Sequence, residues 1–176
     1  PPPPPPPSIT PEGFPTDVTI LRAPERDLFD LVARYAGRYP DRLANTTLYR
    51  DEVVGTQASF WVIDVSGPTM RKSNATLQHV SDTALWYVTD SIDIDSQDLE
   101  RAANAFDNQI LPEVLRLSTP NLTLPGKITV LNARTPGLAG YFASSDALPT
   151  QIQKFSNERV MMVMNGHDAG SENYLG

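Results

Sequence analysis

One long stripe of apolar residues constrains the fold of this chain more than any other feature of its sequence. The apolar positions recur at steps of three and four, which predicts one face of a helix. They are Leu99, Ala103, Phe106, Ile110, Val114 and Leu117. Asp95 or Ser96 is expected to cap the start of this helix, and Pro112 inside the pattern predicts a kink or a break.

Short β-branched and aromatic runs lie on both sides of the long helix and predict strands. The predicted strands cover residues 60–65, 74–79, 85–88, 127–132, 138–142 and 159–164, and a short amphipathic helix is expected over 24–36. Strands around one long helix, with short connections, favour an α/β or α+β fold. We therefore predict a mixed sheet that carries one long helix and a short N-terminal helix, with helices on one face.

Composition excludes several classes of function. The chain has 176 residues, of which 14 are Lys or Arg and 21 are Asp or Glu, so its formal charge is -7. This balance argues against partners that are nucleic acids or anionic lipid surfaces, because both need clustered positive charge. No run of 18 apolar residues predicts a membrane span. The absence of cysteine excludes disulfides, thiolate metal sites and a cysteine nucleophile.

The beginning of the chain differs in composition from the rest. Residues 1–7 are all proline, and residues 1–16 are interpreted as a proline-rich linker in polyproline II conformation. Residues 17–176 are interpreted as belonging to one domain.

Spacing alone identifies no complete catalytic site. The acidic run from Asp90 to Asp98 lacks the Gly and the closing Glu of a calcium-binding EF-hand loop, so a carboxylate-rich helix entry is the simpler interpretation. His79 and His167 are isolated in the sequence and do not have the spacing of zinc ligands. Neither a nucleophile elbow nor a glycine-rich phosphate loop is present.

An ordered set of segments resembles the secreted bacterial zinc metallopeptidases of the hyicolysin and immune-inhibitor-A kind. The most specific segments are Gly-Tyr-Phe-Ala-Ser-Ser-Asp at 140–146 and Ser-Asn-Glu at 156–158. The others lie at 26–31, 60–64, 76–82, 85–88 and 98–117. Segments similar to 140–146 and 156–158 precede the zinc-binding helix in these peptidases, so residues 17–176 resemble the N-terminal part of a metallopeptidase-like domain, truncated at its C-terminus.

The resemblance implies a zincin fold and peptide-bond hydrolysis by the parent protein. In that family a His-Glu-x-x-His helix holds Zn²⁺ with its two histidines and uses the glutamate as general base. This motif is expected immediately after Gly176, so the chain alone lacks the zinc ligands and the general base and is expected to be inactive. The implied partners are a peptide or protein substrate and the downstream catalytic segment, and the implied location is extracellular.

The resemblance also implies which residues contact substrate. In zincins an edge strand of the sheet pairs with the backbone of an extended substrate. Residues 140–145 or 156–164 would lie near that edge, which makes Gly140, Tyr141, Asn157 and Glu158 the candidate substrate-binding residues. The alternative for Asn157 and Glu158 is a buried strand preceded by a polar turn.

Two other functions remain open at this point. The chain could be a non-catalytic extracellular binding module or inactive peptidase relative, or a pro-segment that assists the folding of a downstream domain. The fragment interpretation carries a further expectation: the sheet should expose an apolar patch. Its contributors would be the strands that hold Trp61, Trp86, Tyr141 and residues 161–164.

Overall fold

The described part of the chain consists of one mixed sheet and its helices. The computed structural model describes residues 27–37, 48–64, 67, 69–118 and 124–166. The helices are α1 (Leu28–Ala36), α2 (Ser96–Ala105) and α3 (Leu111–Ser118), and the strands are β1 (Gln57–Asp64), β2 (Thr69–Val80), β3 (Ala84–Thr89), β4 (Ile128–Ala133), β5 (Gly140–Phe142) and β6 (Met161–Asn165). The predicted linker at 1–16, His167 and residues 174–176 lie outside the described residues.

The six strands form a single sheet in the order β1-β2-β3-β4-β6-β5. Strands β3, β4 and β6 run parallel to one another, whereas β1–β2, β2–β3 and β5–β6 are antiparallel pairs. All six residues of β3 are buried, as expected of a strand with both faces covered. The predicted mixed α+β sheet with one long helix and a short N-terminal helix is confirmed. No helix in the described ranges has both the length and the apolar character needed to cross a bilayer.

The long helix packs on one face of the sheet, which we call the outer face. This agrees with the apolar pattern in the first half of the helix. Asp95 is the N-cap, and its carboxylate accepts a hydrogen bond from the Gln97 N–H at 2.8 Å. Leu99, Ala103 and Phe106 are buried. The Phe106 ring meets the Trp86 ring edge to face, with centroids 5.7 Å apart. This packing attaches the helix to the middle of the sheet.

The second half of the long helix is rotated relative to the sequence prediction. A π-helical turn at Phe106–Ile110 separates α2 from α3, and the Leu111 N–H bonds to the Phe106 carbonyl. The wide turn accommodates Pro112, which has no N–H to donate to the preceding turn. The expected interruption at Pro112 is therefore a change of helix type rather than a break.

The π turn also corrects the predicted apolar face. One extra residue in the turn rotates everything after it by about 100°. As a result Ile110, Val114 and Leu117 are exposed, although the sequence pattern placed them on the buried stripe. Leu111 is buried instead, and Leu115 packs against the core.

The opposite face of the sheet curls inward and buries a second core. Its residues come from five strands and are Phe60, Val62, Ala75, Leu77, Leu85, Tyr87, Leu131, Ala133, Met161 and Val163. We call this the inner face. The sequence predicted that Trp86 and Met161 would belong to an exposed apolar patch. This prediction was wrong for both residues, because each is only 1% exposed. The half-buried Trp61 ring packs edge to face against Phe155, with centroids 4.9 Å apart. Helix α2 thus covers one face, and the curled sheet with its loops covers the other.

Candidate functional site

Strand β5 forms one edge of the sheet and pairs with β6 alone among the described strands. Asn165 donates its N–H to the Ala139 carbonyl at 2.8 Å, so these two opposite residues are a hydrogen-bonded pair of the antiparallel ladder. Hydrogen-bonded pairs alternate along such a ladder, so Tyr141 turns its backbone groups toward β6. Gly140 and Phe142 therefore turn their N–H and C=O groups outward, away from β6. The result is an edge that can accept an additional extended strand.

Gly140 allows β5 to lie close against β6. A Cβ added at this position would meet the Val163 carbonyl oxygen at 2.7 Å and the Met164 sulfur at 3.1 Å. Real Cβ atoms do not approach a backbone oxygen so closely, so a larger residue would push the strand outward. Gly140 therefore contributes to the edge through its backbone and its small size.

Tyr141 connects the two edges of the curled sheet. Its hydroxyl oxygen accepts a hydrogen bond from the Ile63 N–H on β1 at 3.1 Å. Because β1 and β5 are the first and last strands in the sheet order, this bond brings opposite edges together and makes the sheet a half-barrel. Burial raises the pKa of the Tyr141 hydroxyl, and the nearby Asp146 carboxylate acts in the same direction.

Asn157 makes a second connection to β1, two residues from the first. Its side-chain oxygen accepts from the Trp61 N–H at 2.7 Å, and its side-chain nitrogen donates to the Trp61 carbonyl at 3.0 Å. The same nitrogen also donates to a carboxylate oxygen of Asp146 at 2.8 Å. Both amide hydrogens of Asn157 are therefore used within the chain.

Asp146 and Glu158 hold the loop that carries Asn157. The Asp146 Oδ1 atom accepts from the Asn157 backbone N–H at 3.3 Å as well as from its side chain. Burial raises the pKa of Asp146, although the hydrogen bonds from Asn157 oppose the effect. Glu158 has a positive φ of 51° and accepts from the Thr150 N–H at 2.7 Å and from the Thr150 hydroxyl at 3.0 Å. The Glu158 carboxylate is therefore directed toward Thr150 rather than toward the β5 edge.

A pocket of about 150 Å³ lies between the two edges. Its lining residues come from β1, β2, β5 and the loop between β5 and β6, and are Ile63, Met70, Tyr141, Ala143, Ser145, Asp146, Gln153 and Phe155. Asp146 is only 5% exposed, so its carboxylate sits in the pocket wall rather than on the open surface. A buried carboxylate beside apolar walls makes this pocket a candidate binding site.

A buried ion pair supports the pocket and the loop from the inner face of the sheet. The Arg159 guanidinium forms two bonds to the Glu52 carboxylate, at 2.8 and 3.0 Å. Its central carbon lies 5.1 Å from the Phe60 ring centroid and 5.3 Å from that of Tyr87. Burial of Glu52 opposes its ionisation, but the bonds from Arg159 and Tyr87 prevail and lower its pKa. Burial and the Glu52 bond raise the pKa of Tyr87 to about 12.

The structure brings the sequence-predicted residues only partly together. Tyr141 and Asn157 both contact β1, Gly140 lies on the β5 edge, and Glu158 faces Thr150. No pattern in the sequence indicated a role for Glu52, Asp146 or Arg159. Glu52 and Arg159 are 107 residues apart in sequence, so no local spacing connects them. Asp146 is the last residue of the segment 140–146 that carries the resemblance, and its acidic side chain was the signal available in the sequence.

The described residues do not fit a zinc site. His79 is half-buried in β2, at a shift of the strand register, and is the one histidine within the described ranges. No group of three or more His, Cys, Asp or Glu side chains in those ranges could hold a metal ion.

Comparison with known proteins adds no family to these observations. No protein-family model matches the sequence, and no curated protein matches it significantly.

Proposed function

We propose that this chain is the N-terminal scaffold and substrate-cleft portion of a secreted zinc metalloendopeptidase. In this proposal β5 binds the backbone of an extended peptide substrate. The observation that carries it is the edge position of β5, where Gly140 and Phe142 direct their backbone N–H and C=O groups outward. Main-chain hydrogen bonds at such an edge fix the direction and register of a peptide without regard to its sequence.

The proposal divides the work between two parts of the parent protein. The chain orients the peptide. The half-barrel is held rigid by the bonds that join Tyr141 and Asn157 to β1. The zinc-binding helix is expected directly after Gly176, where the resemblance puts it. A bound zinc ion would supply an activated water and a polarised peptide carbonyl. Binding energy from the edge strand is useful because correct orientation removes much of the entropic barrier.

The test is peptide hydrolysis by the full-length protein, with backbone pairing removed at one position. Phe142→Pro deletes the outward N–H at an edge position where proline is tolerated. Phe142→Ala is the matched control, because it deletes the exposed ring and keeps the N–H. We expect Phe142→Pro to lower kcat/KM by about tenfold, the effect of one lost hydrogen bond of roughly 1.4 kcal/mol, and Phe142→Ala to lower it much less.

Two outcomes would contradict the proposal. Full-length protein that cleaves no peptide in the presence of zinc would remove the proteolytic part. Equal kinetics for Phe142→Pro, Phe142→Ala and the wild type would remove β5 from substrate binding. A protein that binds extended peptides and never cleaves them would instead be a non-catalytic binding module, which uses the same edge.

The roles of Asn157 and Glu158 are tested separately in the full-length protein. Their side chains are engaged with Trp61 and Thr150, so a substrate contact would have to be made in addition to these bonds. Unchanged cleavage by Asn157→Ala and Glu158→Ala variants that remain folded would remove both residues from the substrate-binding set. A selective rise in KM would keep them in it.

A further inference from the structure

The pocket between the two sheet edges contains a buried carboxylate without a cationic partner. Asp146 is 5% exposed, and no ion pair among the described residues includes it. Its Oδ1 atom accepts both hydrogen bonds from Asn157, whereas its second oxygen accepts none from the described residues. Buried carboxylates are normally paired with a cation, so this second oxygen is the atom at which a positively charged ligand in the pocket would find an acceptor.

Three further acceptors line the same pocket. They belong to Tyr141, Ser145 and Gln153. The Tyr141 oxygen accepts one bond from Ile63, and the side chains of Ser145 and Gln153 make no hydrogen bond to another described residue. A hydroxyl or amide oxygen can accept two hydrogen bonds, so each group has capacity for a ligand. Together with Asp146 they offer several acceptors around one negative charge.

The remaining walls of the pocket are apolar. They are formed by Ile63, Met70, Ala143 and Phe155. The volume of about 150 Å³ has room for a small ligand of several non-hydrogen atoms. A chain of four carbons that ends in one nitrogen is a ligand of this class. The pocket therefore suits a short apolar stem with a charged tip.

We infer that this pocket binds a primary ammonium group on a short apolar stem, the chemistry shared by a lysine side chain and a small alkylamine. An ammonium has three N–H donors and a single positive charge, which match the open Asp146 oxygen and the acceptors beside it. A guanidinium fits less well, because its paired donors need both carboxylate oxygens and Asn157 already occupies one. A divalent cation fits less well too, because it requires several oxygen ligands with more negative charge.

The inference that the pocket binds an ammonium group depends on the pocket alone. The further step, that the pocket selects peptide substrates, rests on the proposed function. Tyr141 belongs to β5 and Ala143 follows it, so the pocket adjoins the edge proposed to bind peptides. A lysine side chain of a bound peptide would then be the natural source of the ammonium. A free alkylamine is the other source.

The first experiment uses n-butylammonium as the probe and the 176-residue chain in its ¹⁵N-labelled form. We expect saturable amide shifts at Ala143, Ser145 and Gln153, and no such shifts with n-butanol, the uncharged isostere. Asp146→Asn is expected to weaken n-butylammonium binding by at least about tenfold, since bonds between charged groups are the stronger class. Equal shifts with n-butanol, or undiminished binding by a folded Asp146→Asn variant, would overturn the inference.

A second variant covers the case in which Asp146→Asn does not fold. Gln153→Met keeps the side-chain length and removes the amide oxygen, and it leaves the Asn157 bonds intact. We expect it to weaken n-butylammonium binding several-fold, whereas the control Gln57→Met, at an exposed position of β1, leaves binding unchanged. Unchanged binding by Gln153→Met would also count against the inference.

The source of the ammonium is separated by blocked tripeptides. A lysine tripeptide that binds more tightly than n-butylammonium, with no binding by its norleucine counterpart, supports peptide recognition at this pocket. Binding of n-butylammonium without binding of the lysine tripeptide would support a free-amine site and overturn its use by peptides. Neither result depends on whether the full-length protein hydrolyses peptides.

Discussion

The side chain of Asn157 pairs with the backbone of Trp61 as a neighbouring strand would. Its oxygen accepts the Trp61 N–H at 2.7 Å, and its nitrogen donates to the Trp61 carbonyl at 3.0 Å. Trp61 lies on β1, whose outer edge no other strand of the described sheet covers. One amide side chain therefore satisfies two backbone groups that a sheet edge would otherwise leave open.

Removing this side chain should destabilise the fold. Asn157→Ala deletes the bonds to both Trp61 groups and to Asp146, so we expect the free energy of unfolding to fall by about 2–4 kcal/mol. The matched control Asn74→Ala, at an exposed position of β2, should change it by less than about 0.5 kcal/mol. Urea denaturation of both variants measures the difference. Equal stability of the two variants would mean that the Trp61 pairing contributes nothing.

The Glu52–Arg159 pair should govern stability on the acid side. The pKa of Glu52 is lowered in the folded state, so its contribution is fully present above about pH 4.5 and is lost as the pH falls through that lowered pKa. Glu52→Gln leaves Arg159 buried without its counter-charge and should cost about 3–5 kcal/mol at pH 7. It should also flatten the loss of stability in acid. The exposed neighbour Asp51 provides the control Asp51→Asn, which should change the free energy of unfolding at pH 7 by less than about 0.5 kcal/mol.

Asp146 should change the pH dependence of stability in the opposite direction to Glu52. Burial raises its pKa above 3.8, so the native state holds the proton more tightly than the unfolded chain. Stability therefore decreases as the pH rises from about 3.8 through the raised pKa. Asp146→Asn keeps an oxygen for Asn157, removes this slope and should be at least as stable as the wild type at pH 7. Asp146→Ala removes the acceptor and should cost about 1–3 kcal/mol. An unfolding profile of Asp146→Asn that keeps the wild-type slope would contradict this assignment.

The π turn explains why the sequence predicted the long helix but misplaced its second half. The pattern of Leu99, Ala103 and Phe106 identified the helix and its buried face correctly. A π turn leaves the apolar periodicity of the sequence unchanged while it rotates the face, so Val114 and Leu117 matched the pattern and are nevertheless exposed. Pro112 indicated that the helix would be interrupted, but not how.

This rotation has a direct test. Val114→Lys should change the free energy of unfolding by less than about 0.5 kcal/mol, because the side chain is half exposed. Leu111→Ala should cost about 2–5 kcal/mol, because Leu111 is 7% exposed and belongs to the core between the long helix and the sheet. The reverse order of costs would mean that the uninterrupted α-helical pattern describes the packing.

The site was less predictable than the fold because its contacts are long-range. The resemblance named Gly140, Tyr141, Asn157 and Glu158, and the structure gives Tyr141 and Asn157 bonds across the half-barrel to β1. Those bonds depend on the curl of the sheet, which the alternation of apolar residues does not encode. The pairing of Glu52 with Arg159 joins positions 107 residues apart and follows from the same curl.

Hydrogen exchange at the β5 edge tests the central claim most directly. The amide exchange rates of Gly140, Tyr141 and Phe142 would be measured in the chain with and without an extended peptide. If β5 pairs with the peptide backbone, the outward N–H groups of Gly140 and Phe142 become protected on binding, whereas Tyr141, already turned toward β6, changes little. A peptide that binds and leaves the exchange of Gly140 and Phe142 unchanged would contradict the claim.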